Sequence, residues 1–154
     1  MISFIVAFDE SKAIGLDGGL PWHISQDLKL FKKNTLHKNI VMGRKTYQGL
    51  PRKLVDRNIF VVTTDKNFKD DDVSVINDFE GFLKEHENDR TEYIICGGAS
   101  IYNKAYPYCH KGYVSFVKGV HLADTYLQCF DRKDWKTAKK EEYQDFTYRL
   151  LRRK

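Results

Sequence analysis

Residues that form cross-links or metal sites are few in this sequence and poorly spaced. The 154-residue chain has only three cysteines, Cys96, Cys109 and Cys129, and no Cys-x-x-Cys pair. An odd, scattered set favours neither a disulfide framework nor a zinc site, and a reducing, cytoplasmic setting is the simpler interpretation. The five histidines also lack the spacing of metal ligands, so we expect no metal site.

Long hydrophobic runs and flexible linkers are also missing from the sequence. No apolar stretch approaches the roughly 20 residues that cross a bilayer, and Met1 leads directly into an apolar segment without a signal-peptide pattern. We therefore expect no membrane segment and a cytoplasmic location. With 42% hydrophobic and 31% charged residues, the chain is predicted to form one folded domain over residues 1–154.

Short apolar stretches alternate with helical patterns along most of the chain. Strands are predicted at residues 2–8, 39–42, 58–63, 73–76 and 93–96, and helices at 25–36, 44–50, 78–87 and 99–105. In the first helix, Leu28, Phe31 and Thr35 are expected to share the buried face. Strands without strict alternation suit a parallel sheet that helices cover on both faces.

The pattern changes after Gly112. Strand-like segments at 113–117, 125–130 and 146–151 follow one another without helices between them, which indicates an antiparallel edge. The sequence therefore predicts an α/β fold with a mostly parallel central sheet of about eight strands. About four helices are expected to flank this sheet.

Three segments that follow predicted strands carry groups suited to phosphate. Residues 43–46 place two cations and a hydroxyl at a helix start, where an anion would neutralise the cations. Thr63 and Thr64 offer two hydroxyls, and Gly97-Gly98 allows close backbone approach to a pyrophosphate. Each motif alone is also typical of solvated surface or an ordinary turn, and a net charge of +5 attracts anions of any kind.

Asp27 is the most informative titratable residue. It lies in the first turn of the first predicted helix, after a glycine-rich segment at residues 15–22. An acidic residue there ordinarily stays exposed and stabilises the helix dipole. The alternative places Asp27 in an apolar cavity with Trp22 and Phe31, where desolvation would raise its pKa. A carboxylate there would accept hydrogen bonds from a flat heterocycle rich in N–H groups.

As a set, these motifs resemble the dihydrofolate reductase family, in its short bacterial type, along nearly the full chain. The matching segments are residues 2–7, 14–15, 20–22, Asp27 with Phe31-Lys32, and residues 42–47, 57–59, 96–102 and 123–125. The resemblance implies NADPH-dependent reduction of 7,8-dihydrofolate to 5,6,7,8-tetrahydrofolate, with hydride passing from nicotinamide C4 to pterin C6. It also implies a cis Gly97–Gly98 bond and binding of antifolate inhibitors. We expect no nucleic-acid partner, and a monomer by default.

The resemblance further implies the site residues. Asp27 would hold the pterin through its 2-amino group and N3 and assist protonation at N5, while Leu20 and Trp22 complete the catalytic group on a loop that closes over the nicotinamide. The substrate cleft would contain Ile5, Ala7, Asp27, Leu28, Phe31, Leu50, Leu54, Arg57 and Ser115. Among these, Arg57 would pair with the glutamyl α-carboxylate. The cofactor would contact Ala7, Ile14, Leu20, Gly43, Arg44, Lys45, Thr46, Thr63, Thr64, Cys96, Gly97, Gly98, Ala99, Ser100, Ile101, Tyr102 and Thr125.

Two departures from the family pattern affect the ligand sites. Lys53 and Val55 stand where prolines are often found, which would leave Arg57 on a more flexible loop. Asp65 would repel a cofactor 2′-phosphate unless Lys66 or Arg44 compensates.

Two other functions remain open at this point. A riboflavin-pathway pyrimidine reductase shares the fold and NADPH, but it would need a phosphate site for its substrate and is not expected to combine Trp22, Asp27, Phe31 and Arg57. A basic nucleic-acid-binding domain would account for the charge, but the basic residues are scattered and match no recognised nucleic-acid motif.

Overall fold

A single eight-stranded sheet organises the chain in the computed structural model, which describes residues 1–154. The strands are β1 (Ile2–Phe8), β2 (Ala13–Gly15), β3 (Asn39–Gly43), β4 (Asn58–Val62), β5 (Val73–Ile76), β6 (Tyr93–Ile95), β7 (Cys109–Val117), β8 (Thr125–Tyr126), β9 (Trp135–Glu142) and β10 (Phe146–Arg153). The helices are α1 (Ser25–Thr35), α2 (Arg44–Gln48), α3 (Phe79–His86) and α4 (Ala99–Ala105), with short 3-10 turns at Tyr106–Tyr108 and Arg132–Asp134.

The strand order is β5-β4-β3-β6-β1-β7-β10-β9, and β2 pairs with β8 outside this sheet. The first six strands in that order are parallel, whereas β10 is antiparallel to β7 and β9 is antiparallel to β10. The predicted α/β fold, with about eight strands, four helices and an antiparallel edge, is confirmed.

Two core clusters cover the two faces of the sheet. Along β1, Ile2, Phe4, Val6 and Phe8 belong to one cluster, whereas Ile5 and Ala7 pack against the other. Alternate residues of a strand point to opposite faces, so this division separates the two sides. The second cluster is the one next to the site described below.

The C-terminal strands differ from the prediction. The prediction of a strand at 125–130 is wrong, because only Thr125–Tyr126 is a strand and it pairs with β2. Leu127 and Phe130 are apolar because their side chains enter the core. The eighth strand of the sheet is instead β9, whose pattern of mostly Lys, Thr and Glu residues carries no hydrophobic signal; only its first residue, Trp135, is buried.

The buried face of α1 also differs from the prediction. Leu28 keeps 46% of its surface exposed, and Leu30 and Thr35 are the buried residues of the helix. Thr35 is buried as predicted, and its hydroxyl donates to the Phe31 carbonyl at 2.7 Å, so its polar group is satisfied within the helix.

None of the four helices has the length and apolar character needed to cross a membrane. The structure also contains no cluster of three or more His, Cys, Asp or Glu side chains able to hold a metal ion.

Candidate active site

Asp27, which is partly buried, and Ser115, which is buried, form a hydrogen-bonded pair between α1 and β7. Ser115 faces Ala7 across the β1–β7 register, and its hydroxyl donates to Asp27 Oδ1 at 2.6 Å. Ser115 is 5% exposed. Burial raises the pKa of the Asp27 carboxyl above its ordinary value, and the hydrogen bond from Ser115 opposes that rise. Asp27 is therefore not the exposed first-turn acid of the ordinary interpretation.

Apolar side chains lie on the same face of the sheet as this pair. Ile5, Ala7, Trp22, Leu50 and Leu54 are partly buried and pack against one core cluster. A partly buried apolar surface beside a desolvated carboxylate can hold a flat ring whose N–H groups face the acid. Two predicted lining residues lie outside this packed set: Leu28 is exposed, and Phe31 is half-buried.

Trp22 adds a polar group to the same region. Its indole Nε1–H is buried and has no hydrogen-bond partner within the protein. A buried indole N–H ordinarily has an acceptor, so this donor is available to a ligand or to water.

Arg57 lies immediately before β4, and its guanidinium makes three hydrogen bonds within the protein. Its guanidinium donates from Nε to Thr35 Oγ1 at 3.1 Å, from Nη1 to the Val55 carbonyl at 2.7 Å and from Nη2 to the Lys32 carbonyl at 3.0 Å. The greater flexibility of this loop, expected from the missing prolines, stays a prediction. Three of the five guanidinium N–H groups are used, which leaves one on each terminal nitrogen for a carboxylate.

The recess beside Arg57 is open and polar. It has a volume of about 270 Å³ and is lined by His37, Asp56, Arg57 and Asn58.

The ends of β3 and β6 meet in a glycine-lined cradle. The Gly97–Gly98 bond is cis, as predicted, and the Gly43 N–H donates to the Gly97 carbonyl at 2.9 Å. A Cβ on Gly43 would lie 3.1 Å from Ile101 Cγ1, and one on Gly98 would lie 3.3 Å from Thr46 Oγ1. The cradle therefore depends on the absence of side chains at these glycines.

Helix termini add backbone donors to this cradle. Neither α2, which begins at Arg44, nor α4, which begins at Ala99, has a side-chain cap on its first N–H groups. Uncapped N–H groups at convergent helix starts favour phosphate groups. The residues present thus fit a dinucleotide pyrophosphate.

Asp65 is neutralised within the second predicted phosphate segment. Arg44 Nη1 lies 2.9 Å from Asp65 Oδ2, and its guanidinium also lies over the Phe68 ring at 4.7 Å. Thr63 Oγ1 accepts from the Asp65 N–H at 3.2 Å, and Thr64 is exposed. Arg44 is therefore paired with Asp65, and the compensation of Asp65 toward a cofactor 2′-phosphate stays a prediction.

Several residues predicted to contact the cofactor make contacts within the protein instead, and others are exposed. Tyr102 is buried and its hydroxyl donates to the Ile5 carbonyl at 2.7 Å; Ile101 is also buried. Thr125 Oγ1 donates to Asp124 at 2.9 Å and packs beside Gly15. Ile14 packs against the cluster on the far face. Cys96 is partly buried, and Lys45 and Ser100 are exposed.

The glycine-rich segment forms a turn that is tied to a second loop. Leu16 and Gly19 exchange backbone hydrogen bonds, and Asp124 Oδ2 accepts from the Asp17 N–H at 2.9 Å. The Gly18 carbonyl oxygen lies 4.0 Å from the position of a Cβ on Gly49. The turn thus reaches from the β8 side of the cleft to the end of α2, and Leu20 beyond it is 46% exposed.

Sequence reasoning missed four residues that support this site. Thr35 holds Arg57, Asp124 holds the turn, and Asp9 and His121 form a pair behind Trp22. Only Thr35 and Asp124 lay in segments that the sequence had singled out. Asp9 and His121 are 112 residues apart, and no local pattern links them.

Comparisons with known proteins point to one family. A family model described as dihydrofolate reductase matches residues 1–151. Dihydrofolate reductase of Mycoplasma genitalium is 35% identical and covers 100% of this chain and 99% of its own length. That of Staphylococcus haemolyticus is 37% identical over 92% of this chain and 84% of its own length.

A solved structure agrees with the sequence matches. Dihydrofolate reductase from Enterococcus faecalis, complexed with NADP(H) and RAB-propyl, has a TM-score of 0.87 and 28% identity, and covers 99% of this chain and 96% of that one. These comparisons favour neither the pyrimidine reductase nor the nucleic-acid-binding domain. The chain therefore belongs to the dihydrofolate reductase family of NADPH-dependent oxidoreductases.

Proposed function

We propose that the protein reduces 7,8-dihydrofolate to 5,6,7,8-tetrahydrofolate in the cleft that contains Asp27. The observation that carries this proposal is the desolvated carboxyl of Asp27 on an apolar wall, hydrogen-bonded to Ser115 at 2.6 Å. This chemistry suits a pterin, whose 2-amino group and N3–H can both donate to one carboxylate.

Asp27 both orients the substrate and assists its protonation. With the pterin N–H groups on its oxygens, the ring has one orientation on the surface formed by Ile5 and Ala7. Because burial raises the Asp27 pKa, the desolvated carboxylate has a higher affinity for a proton than an exposed aspartate does. Its negative charge beside the bound ring thereby favours the N5-protonated pterin that accepts the hydride.

The glycine cradle fits the cofactor. The uncapped helix starts after Gly43 and Gly98 would hold the pyrophosphate, with Arg44, Lys45 and Thr46 beside it. NADPH, when bound, supplies the hydride from nicotinamide C4 to pterin C6. Leu20 and Trp22 would cover the reacting rings and exclude water.

Arg57 would bind the α-carboxylate of the substrate's glutamyl tail. Its contacts with Thr35, Lys32 and Val55 leave one N–H on each terminal nitrogen, the arrangement that a bidentate carboxylate requires.

We also propose that residues 1–154 act as one monomeric domain in the cytoplasm, and that antifolate inhibitors occupy the same cleft. The family membership supports these statements. Size-exclusion chromatography of the purified chain, with and without NADPH, tests the monomer.

The experiment that tests the function follows NADPH absorbance on adding dihydrofolate to the purified protein. We expect one NADPH consumed per tetrahydrofolate formed, and at least about a hundredfold slower turnover for Asp27→Asn. Asp71→Asn, which changes an exposed aspartate, is the matched control and should leave turnover unchanged. No NADPH consumption by the folded wild-type protein, or full activity of Asp27→Asn, would contradict the proposal.

A further inference from the structure

Asp9 lies at the end of β1, and its side chain has no solvent exposure. Oδ1 accepts hydrogen bonds from the Ser11 N–H, the Ser11 hydroxyl and the Ala13 N–H at 2.7–3.0 Å. Oδ2 accepts from the His121 N–H at 2.7 Å and contacts His121 Nδ1 at 3.0 Å. One carboxylate thus joins the segment that leads into the glycine-rich turn to the loop that contains His121.

The contact with Asp9 fixes the tautomer and the orientation of the His121 ring. Burial raises the pKa of Asp9, but its hydrogen bonds lower it further, to about 2, so Asp9 is a carboxylate at neutral pH. A carboxylate oxygen can only accept, so the proton of the imidazole lies on Nδ1. Asp9 therefore sets both the tautomer and the orientation of His121.

The oriented imidazole contacts Trp22. The two ring centroids are 5.1 Å apart with an interplanar angle of 66°, an edge-to-face arrangement. Trp22 lies two residues before Ile24, the N-cap of α1, and this helix carries Asp27. His121 therefore packs against the ring whose buried Nε1–H has no partner within the protein.

We infer that His121, held by Asp9, is a positioning residue that fixes the Trp22 indole over the active-site cleft. The inference rests on the proposed function for its effect on turnover. His121 itself has no contact with a reacting group and acts through Trp22.

A double-mutant cycle tests this role. His121→Ala should lower kcat by about two- to tenfold, the range that an aromatic pair contributes. In the Trp22→Phe background the same substitution should have a smaller effect, because the indole it positions is gone. His110→Ala, which removes an exposed histidine paired with Glu87, is the matched control and should leave kcat unchanged. Equal effects of His121→Ala in both backgrounds would overturn the inference.

A spectroscopic measurement tests the placement of the ring without any activity. The chain has two tryptophans, so a ¹⁵N-labelled sample gives two indole N–H resonances, and Trp22→Phe identifies that of Trp22. We expect this resonance to shift in His121→Ala, to return toward its wild-type position in His121→Phe, which keeps a ring, and to stay unchanged in His110→Ala. An unchanged Trp22 resonance in folded His121→Ala would overturn the inference. If the wild-type chain proved inactive but these shifts occurred, the proposed function would fail while the positioning contact stood.

Discussion

Replacing Ser115 with alanine should remove the hydrogen bond that partly offsets the burial of Asp27. A hydrogen bond to a charged group is worth about 1.5–3 kcal/mol, so we expect Ser115→Ala to lower the free energy of unfolding by about 2 kcal/mol at neutral pH. When Asp27 is protonated, the lost bond is between neutral groups and the deficit should fall to about 1 kcal/mol.

The pH dependence follows from the direction of the pKa shift. Burial raises the folded-state pKa of Asp27 above its unfolded value, so ionisation costs stability as pH rises through this range. Without Ser115 the pKa rises further, so the stability deficit of the variant should grow as pH rises from the folded-state pKa of Asp27 in the wild type through the higher one in the variant. Urea unfolding of the wild type and of Ser115→Ala at several pH values measures this stability deficit.

Ser3→Ala is the matched control for this experiment. Ser3 is fully buried on β1 and donates to Glu92 at 2.8 Å, but it lies at the opposite end of the strand from Ala7 and Ser115. This variant should lose stability and keep full turnover, whereas Ser115→Ala should lose both. A pH-independent deficit in Ser115→Ala, or unchanged turnover, would refute the reasoning.

Three further predictions follow from other contacts. Gly112→Ala should lose about 1–3 kcal/mol of stability in urea unfolding, because its Cβ would lie 2.6 Å from the Phe4 ring, whereas Gly19→Ala should change little because its nearest atom is 3.8 Å away. The pKa of Asp9 is depressed to about 2, so its contribution to stability is present above the unfolded value and lost as pH falls from about 4 toward 2; the stability difference between wild type and Asp9→Asn should shrink in that window. Arg57→Lys should raise the KM for dihydrofolate by about tenfold or more and leave the KM for a pterin without a glutamyl tail unchanged; equal effects on both would contradict the tail role.

The buried strands could be predicted from the sequence, and the exposed edge could not. β1, β3 and β4 are nearly continuous apolar runs because helices cover both faces of the sheet. β9 carries mostly charged residues because it is the last strand of the sheet, and its backbone pairing with β10 leaves no periodic apolar pattern. Leu127 and Phe130 gave a false strand signal because their side chains fill the core from an irregular segment.

In the candidate site, residues within local sequence motifs could be predicted, and contacts between distant residues could not. Asp27, Arg57 and the two glycines at 97 and 98 could be found because each lies in a motif that the family shares. The Asp9–His121 contact could not, because it joins residues 112 positions apart that have no common pattern. Its existence depends on how two loops meet, which is a property of the folded chain.

The pH dependence of hydride transfer in wild type and Asp27→Asn tests the central claim most directly. In the wild type, the buried carboxyl should assist N5 protonation and sustain turnover at neutral pH. Asp27→Asn should lose most of this turnover and recover part of it at low pH, where the substrate is protonated in solution before it binds. A variant with the wild-type rate and pH profile would contradict the role of Asp27 and the function built on it.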